Sequence, residues 1–162
     1  MTEMINGSRA DIEQHLPFLR QVCFDIGAKL VLELGVRTGN STRAFLSALE
    51  SLNGKLISID VLDCSDVSNS PNWEFHQIDD LNFETDDEFD IIFIDTSHTY
   101  EQTLAELRKF APKLKNGGVI LLHDTITVPS VLQAIQMYLK ENPNKYRFEN
   151  REGCGGLGIL WT

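Results

Sequence analysis

Acidic and imidazole side chains recur at the ends of short apolar segments of this chain. Asp60, Asp95 and the pair His123-Asp124 each close such a segment, and His98 follows Asp95 by three residues. Carboxylates accept hydrogen bonds from hydroxyl and amino groups. An imidazole with an ordinary pKa of about 6.5 can also remove a proton from a hydroxyl near neutral pH. The pattern predicts a polar ligand site with proton transfer among its functions.

A glycine loop, Glu33-Leu34-Gly35-Val36-Arg37-Thr38-Gly39, follows the first apolar segment and leads into Asn40-Ser41-Thr42. Gly35 permits a tight turn, and Gly39 permits the close approach of a ligand. A helix that starts near Ser41 would present unpaired N–H groups to a carboxylate or phosphate. The three-glycine pattern of dinucleotide-binding loops, G-x-G-x-x-G, does not occur here. The loop therefore predicts a nucleotide-type cofactor other than a dinucleotide.

Two acids narrow the class of that cofactor. Glu33 would repel a pyrophosphate, but it can hold the ammonium group of an amino acid moiety directly or through water. Asp60 ends the second apolar segment, where an acid can accept hydrogen bonds from both hydroxyls of a ribose. A cationic nucleoside that carries an amino acid, such as a sulfonium, suits both acids.

Strands that alternate with helices are required to bring these residues to one place. Apolar runs predict strands over residues 29–34, 55–60, 73–78, 89–95 and 119–123. Apolar stripes at helical spacing predict helices from Leu16 to a Gly27 cap, from the glycine loop to about Asn53, after a Thr99 cap, and from about Pro129. The runs 145–149 and 158–161 have no helix between them and are predicted to pair antiparallel at one edge of the sheet.

This alternation predicts an α/β fold, in which right-handed crossovers build a doubly wound, mostly parallel sheet with an antiparallel edge pair. The predicted sheet has seven strands and belongs to a single domain over residues 1–162. Ligands bind such sheets outside the carboxyl ends of the strands, where the strand order reverses. The glycine-rich segment 153–158 precedes a strand, so it is predicted to connect a hairpin rather than to bind phosphate.

Composition disfavours several classes of function. The formal net charge is −10, with 24 acidic and 14 basic residues, and nucleic acid binding depends on clustered Lys and Arg. Three distant cysteines without a CxxC pair indicate neither disulfides nor a zinc site, so we expect a cytoplasmic protein. No apolar run approaches about 18 residues, and residues 1–7 lack the pattern of a secretion signal. A membrane location is therefore not expected.

Taken in order along the chain, these motifs resemble those of the class I S-adenosylmethionine-dependent methyltransferases, from about Leu30 to the end. Residues 31–39 resemble the first motif of that family, and Ile59-Asp60 resembles its ribose-binding acid. The segment Ile78-Asp79-Asp80 is similar to the position near the adenine, and residues 113–118 to the turn after strand four. The resemblance implies a Rossmann-like fold and S-adenosylmethionine as the cofactor. The implied cofactor-binding residues are Glu33, Gly35, Arg37, Gly39, Ser41, Asp60, Asp79, Asp80 and Asp95.

Residues 93–100 and Leu122-His123-Asp124 are most similar to a group of small-molecule O-methyltransferases that act on sugars and natural products. Several of these enzymes bind a divalent metal, which implies Mg²⁺ or another divalent ion held by Asp95, His123 and Asp124. His123 stands where the group has a carboxylate, and Mg²⁺ prefers oxygen ligands. The candidate catalytic residues are Asp95, His98 and His123, with either imidazole as the base.

Two functions remain open from the sequence. The first is methyl transfer from S-adenosylmethionine to a small hydroxyl-bearing acceptor, chiefly through positioning of the reactants. The second is an S-adenosylmethionine-binding module without transferase activity. A nicotinamide oxidoreductase is disfavoured because the three-glycine pattern is missing. The expected partner is a small molecule, and a homo-oligomer in which a second copy completes the site is left open; His15 and His76 receive no predicted role.

Overall fold

A computed structural model of the chain describes residues 12–162, so the segment 1–7 considered above lies outside the described residues. Its strands are β1 (Leu30–Leu34), β2 (Lys55–Asp60), β3 (Trp73–Gln77), β4 (Phe89–Ile94), β5 (Leu114–His123), β6 (Arg147–Arg151) and β7 (Leu157–Trp161). Its helices are α1 (Leu16–Ile26), α2 (Asn40–Leu52), α3 (Tyr100–Phe110) and α4 (Pro129–Glu141). All four predicted helices are confirmed.

Local signals account for where the helices begin and end. The left-handed Gly27, with φ of 63°, ends α1, and its N–H donates to the carbonyls of Cys23 and Phe24. The hydroxyl of Thr99 accepts a hydrogen bond from the backbone N–H of Gln102 at 3.2 Å, which caps the first turn of α3. These caps orient the helices that pack on the sheet.

The sheet has the strand order β3-β2-β1-β4-β5-β7-β6. The pairs β2–β3, β1–β2, β1–β4 and β4–β5 are parallel, whereas β7 pairs antiparallel with both β5 and β6. The chain passes outward from β1 to β3 and then returns to β4 on the other side of β1. The order therefore reverses between β1 and β4, and the predicted doubly wound, mostly parallel sheet is confirmed.

Two strands, β5 and β6, differ from the sequence prediction by more than one residue at a boundary. Strand β5 begins at Leu114, within the segment 113–118 that was expected to form a turn, because a register shift between Phe89 and Ile91 accommodates that turn within the ladder. Strand β6 starts two residues later than predicted. Residues 145–151 are mostly polar and exposed, so their pattern does not mark which residues pair.

Helices cover both faces of the sheet. On β4, Ile91 and Phe93 pack with α1 and α2, whereas Ile92 and Ile94 pack with α3 and α4, as the two-residue repeat of a strand requires. The ring of Phe93 meets that of Phe45 edge-to-face, with centroids 5.6 Å apart. Strands buried on both faces hold the loops at their carboxyl ends in fixed positions. No described helix is long and apolar enough to cross a membrane.

Candidate active site

A cleft of about 390 Å³ opens at the carboxyl ends of β1 to β4, at the place where the strand order reverses. Its lining residues come from the end of β2, from the segments that follow these four strands and from α3. They are Gly35, Arg37, Ile59, Asp60, Val61, Ile78, Asp79, Asp80, Asp95, Thr96, Ser97 and Gln102. Six of the residues predicted to bind the cofactor therefore lie on one cleft, and Glu33, Gly39 and Ser41 do not line it.

Gly35 is required by the close contact between the glycine loop and the end of β4. Its φ is +91°, and a Cβ atom placed on it would lie 2.0 Å from the backbone oxygen of Asp95. No side chain fits that distance. The contact brings the loop and Asp95 together on one wall of the cleft.

Asp60 fixes the glycine loop in addition to lining the cleft. Its Oδ2 accepts the backbone N–H groups of Val36 and Arg37 at 2.8 and 3.1 Å, and its Oδ1 accepts that of Leu62 at 2.9 Å. A carboxylate offers about four lone-pair directions. Three of these directions are used, so one direction on Oδ1 remains for a ligand. The sequence alone suggested that Asp60 bonds both hydroxyls of a ribose.

Glu33 lies away from the cleft, on the side of β1 that faces α2. Its fully buried carboxylate accepts hydrogen bonds from the hydroxyls of Ser41, Thr42 and Ser58, at 2.6, 2.8 and 2.6 Å. Burial outweighs these bonds and raises the pKa of Glu33 to about 7. Glu33 thus joins the start of α2 to two strands of the sheet.

Gly39 and Ser41 lie at the start of α2. Gly39 is the left-handed N-cap residue, and a Cβ atom on it would lie 2.2 Å from Cγ1 of Val67. The close approach that Gly39 permits is therefore to Val67. Ser41 lines a second pocket of about 40 Å³, which also touches Gly35 and Asp95.

Asp79 and Asp80, which the family resemblance places near the adenine, both line the cleft. Asp79 is exposed, and its Oδ1 accepts the N–H of Leu81 at 3.0 Å. Asp80 is only 7% exposed, and Gln102 donates its side-chain amide to Oδ1 at 2.8 Å. Asp80 is the acid whose position the surrounding protein fixes.

At the far side of Asp95, four ionisable side chains form a compact cluster. One potential ligand atom from each of Asp95, His98, His123 and Asp124 lies within 4.8 Å of the others. His98 Nε2 is 2.9 Å from Asp95 Oδ1 and 3.2 Å from Asp124 Oδ2. His123 Nδ1 is 3.4 Å from each of these carboxylate oxygens. The three residues predicted to hold a metal are therefore together, and His98 joins them.

His123 is held in one orientation by the segment between β6 and β7. Its Nε2 bonds the backbone oxygen of Cys154 at 2.6 Å, and the side chain is only 1% exposed. Its Nδ1 faces the carboxylates and has no hydrogen-bond partner among the described residues. In the neutral ring Nε2 therefore carries the hydrogen, and Nδ1 carries the lone pair that a metal would bind.

The charges within the cluster stabilise one another. Burial would lower the pKa of His123, but Asp124 and Asp95 raise it to about 10. Burial would likewise raise the pKa of Asp95, yet the neighbouring imidazoles of His123 and His98 hold it well below its usual range. The hydrogen bond to Asp95 raises the pKa of His98 against the effect of burial. The cluster thus places two imidazoles against two carboxylates that favour their protonated forms.

His98 is the more accessible of the two imidazoles, with a side chain that is 26% exposed. It has a left-handed backbone with φ of 58°, and Asp124 has φ of 62°. Such conformations are strained for residues other than glycine and concentrate at functional sites. The hydroxyl of Ser130 donates to the carbonyl of His98 at 2.6 Å and helps to hold this conformation.

Several residues that support the cluster carry no signal in the sequence. His15 packs edge-on against His123, with ring centroids 5.9 Å apart, and its own Nε2 bonds the oxygen of Gly153 at 2.7 Å. Thr127 donates its hydroxyl to Asp124 Oδ1 at 3.0 Å. Only the predicted hairpin segment at 153–158 was foreseeable, and a Cβ atom on its Gly155 would lie 2.1 Å from Asp124 Oδ1.

Comparison with known proteins agrees with this geometry. A family model described as a methyltransferase domain matches residues 32–125, from β1 to just beyond β5. No curated protein sequence matches the chain significantly. Three solved structures with the same fold differ in the acceptor atoms that their names state.

A provisionally assigned O-methyltransferase from Klebsiella pneumoniae superposes with a TM-score of 0.79 at 18% identity, covering 96% of this chain and 82% of that one. For an O-methyltransferase from Bacillus cereus in complex with S-adenosylhomocysteine, the TM-score is 0.71 at 18% identity, over 93% and 81% of the two chains. The N-methyltransferase NodS from Bradyrhizobium japonicum, also with S-adenosylhomocysteine, gives 0.70 at 18% identity, over 96% and 87%. The match over residues 32–125 shows that the chain belongs to the methyltransferase domain family, and it has the Rossmann-like fold of the class I S-adenosylmethionine-dependent enzymes.

Proposed function

We propose that the protein transfers a methyl group from S-adenosylmethionine to a hydroxyl group of a small acceptor. Membership of the methyltransferase domain family supports the reaction class and the cofactor. The observation that carries the proposal is the position of Asp95, which lines the cleft and also belongs to the cluster with His98, His123 and Asp124. A cofactor in the cleft and an acceptor at the cluster would therefore be neighbours.

The cluster supports oxygen as the acceptor atom. Structural neighbours include both O- and N-methyltransferases, so the fold by itself does not select between them. A hydroxyl must lose its proton as it is methylated, and a nearby base or cation promotes this loss. Asp95 and His98 offer the first, and the whole cluster fits the second.

The cofactor would lie across the ends of β1, β2 and β3. Asp60 has one lone-pair direction left for a ribose hydroxyl, and Asp80 is fixed as an acceptor for the adenine. The small pocket at the start of α2, lined by Thr38, Asn40 and Ser41, suits the carboxylate of the methionine moiety because helix N-termini bind anions.

His98 is the residue that we assign as the base. If Nε2–H donates to Asp95 Oδ1 at 2.9 Å, the basic nitrogen of neutral His98 is Nδ1. When bound, S-adenosylmethionine supplies an electrophilic methyl group: the acceptor oxygen bonds the methyl carbon as the carbon–sulfur bond breaks. The hydroxyl proton passes to His98 Nδ1, and Asp95 stabilises the imidazolium. Holding the reactants in line is the main contribution that this scheme requires of the protein.

Asp95, His123 and Asp124 fit a divalent cation. The buried, unpartnered Nδ1 of His123 supports this reading, because no described N–H or O–H group occupies that position. Imidazole donors suit Mn²⁺, Fe²⁺ or Zn²⁺ better than Mg²⁺, which prefers oxygen ligands. A cation bound there would polarise the acceptor hydroxyl and lower its pKa.

Calorimetry with S-adenosylhomocysteine, followed by turnover assays with S-adenosylmethionine, tests the proposal. We expect binding of the product and methylation of at least one member of a panel of sugars and phenols, assayed with Mn²⁺, Zn²⁺, Mg²⁺ or chelator. Binding without turnover on any acceptor would favour a cofactor-binding module instead. Failure of the protein to bind S-adenosylhomocysteine would overturn both functions.

A further inference from the structure

A second buried carboxyl group lies directly behind the cleft and has no part in the scheme above. Glu106, on α3, is fully buried. Its neighbours Asp80, Thr96 and Gln102 all line the cleft, so Glu106 forms a layer beneath that wall. An acid in this position needs either a cation or a proton, because a buried charge without a partner is strongly unfavourable.

The contacts of Glu106 link it to Asp80. Thr96 donates its hydroxyl to Glu106 Oε1 at 2.6 Å. The side-chain amide of Gln102 donates to Glu106 Oε1 at 3.1 Å and to Asp80 Oδ1 at 2.8 Å, so it bridges the two carboxyl groups. No described N–H or O–H group donates to Glu106 Oε2. Oε2 is therefore the oxygen that would carry the proton if Glu106 is neutral.

No described cation neutralises Glu106. Lys109, one turn further along α3, directs its ammonium group to the carbonyl of Leu81 and to Glu84. The charged group that faces Glu106 is Asp80, from the turn after β3. Burial and the negative charge of nearby Asp80 raise the pKa of Glu106 to about 9. Glu106 is accordingly protonated at neutral pH.

We propose that Glu106 is a positioning residue of the cofactor cleft, which donates its proton to Asp80 and so presents Asp80 as a charged acceptor for the amino group of adenine. This inference rests on the proposed function, because it needs an adenine in the cleft. The 6-amino group of adenine donates hydrogen bonds, whereas the 6-oxo group of hypoxanthine accepts them. An ionised Asp80 therefore selects adenine over hypoxanthine. With hypoxanthine, the carboxylate would face another acceptor, and a buried polar group would be left without a hydrogen bond.

The test uses calorimetry with S-adenosylhomocysteine and its deaminated analogue, S-inosylhomocysteine, on the wild type, Glu106→Gln and Glu106→Ala. Wild type should bind the adenine compound at least about tenfold more tightly at pH 7. Glu106→Gln keeps a donor for Asp80 and should retain this selectivity within about threefold. Glu106→Ala removes the donor, so affinity for S-adenosylhomocysteine should fall about tenfold while affinity for the inosine analogue changes less.

The pH profile separates positioning from a purely structural role. An adenine that covers the cleft desolvates Glu106 further and raises its pKa in the complex, so affinity is full below the pKa of the free protein and falls as pH rises through it. Between pH 8 and 10 the affinity of wild type should fall more steeply than that of Glu106→Gln. Glu101→Gln, an exposed change on the first turn of α3, should follow wild type.

Each outcome decides the matter. Failure of wild type to bind S-adenosylhomocysteine would overturn the proposed function together with this inference. If wild type binds, identical pH profiles for wild type and Glu106→Gln would overturn the inference alone. If Glu106→Gln fails to fold by circular dichroism, infrared spectroscopy of wild type supplies the readout: a carboxyl band that persists above pH 8 supports a protonated Glu106, and its absence contradicts one.

Discussion

The Nε2 of His123 is 2.6 Å from the backbone oxygen of Cys154, and this bond directs Nδ1 towards Asp95 and Asp124. A backbone carbonyl that fixes the second nitrogen of an imidazole is the usual support of a metal-binding histidine. The same bond also makes His123 a poor base, because its only basic nitrogen is enclosed. His98, which is partly exposed, is left as the group able to meet an acceptor.

Metal binding should depend on Asp124. Loss of residues that merely support a ligand costs about 10- to 100-fold in metal affinity, so Asp124→Asn should weaken Mn²⁺ or Zn²⁺ binding by about 100-fold or more. Titration calorimetry of the chelator-treated protein measures this, with the exposed Asp86→Asn as the control. Equal affinities for Asp124→Asn and wild type would exclude the cluster as the metal site. Wild type should also bind Zn²⁺ more tightly than Mg²⁺.

Asp60→Ala should impair both stability and cofactor binding. The substitution leaves three backbone N–H groups without their acceptor, and each unsatisfied group costs about 1 to 3 kcal/mol where it remains buried. S-adenosylhomocysteine binding should weaken at least about tenfold, because a hydrogen bond to a charged group is lost as well. Asp60→Asn keeps one acceptor oxygen and should show smaller effects on both. Undiminished binding by Asp60→Ala would remove this residue from the cofactor site.

Gly35→Ala should destabilise the fold far more than a matched glycine change. Its left-handed backbone costs an alanine about 1 to 2 kcal/mol, and the clash 2.0 Å from the Asp95 oxygen adds about 1 to 3 kcal/mol more. Gly117 has a similar φ of +79° but open space around it, so Gly117→Ala isolates the backbone cost. Urea unfolding of the two variants measures the difference. Equal losses of stability would show that the close contact at Gly35 is relaxed in solution.

Glu33 should make stability depend on pH. Folding raises its pKa from 4.5 to about 7, so its contribution is fully present below the unfolded pKa and is lost as pH rises through the folded pKa. The corresponding free energy is about 3 kcal/mol. Relative to Glu33→Gln, the free energy of unfolding of wild type should therefore fall by about 3 kcal/mol between pH 4.5 and 7.5. Denaturant unfolding across this range tests it, and parallel curves for the two proteins would contradict a raised pKa.

His98→Gln should lower turnover more than it weakens cofactor binding. A general base contributes about 10²- to 10⁴-fold, and the substitution removes the basic nitrogen while S-adenosylhomocysteine affinity depends on other residues. Once an acceptor is identified, kcat should fall within this range with little change in the Kd of S-adenosylhomocysteine. A variant with the kcat of wild type would exclude His98 as the base, and loss of metal affinity would instead identify it as a ligand.

The sheet was predictable because its inner strands are buried on both faces. A central strand such as β2 is apolar at three of its four inner positions, and its predicted limits agree with Lys55–Asp60. The order of motifs from the glycine loop to His123-Asp124 likewise identified the methyltransferase family, which the match over residues 32–125 confirms. The outer strand β6 lacked such a run, and its limits were misplaced.

The side of β1 on which Glu33 lies was also within reach of the sequence. Side chains alternate along a strand, and Leu32 and Leu34 face α3 and α4, so Glu33 must share the face of Val31, towards α2. The contact of His15 with Gly153 was not predictable. It joins residues 138 positions apart along the chain, and no local pattern marks such a pair.

The hairpin formed by β6 and β7 limits how this domain can be recombined with its relatives. The region that matches the family contains all four cluster residues, yet the carbonyls that orient His123 and His15 belong to the hairpin beyond it. A chimera that exchanged only residues 32–125 would carry the potential ligands without the carbonyl groups that orient them. Crossover points placed outside the β6–β7 hairpin would transfer the ligands together with these carbonyl groups.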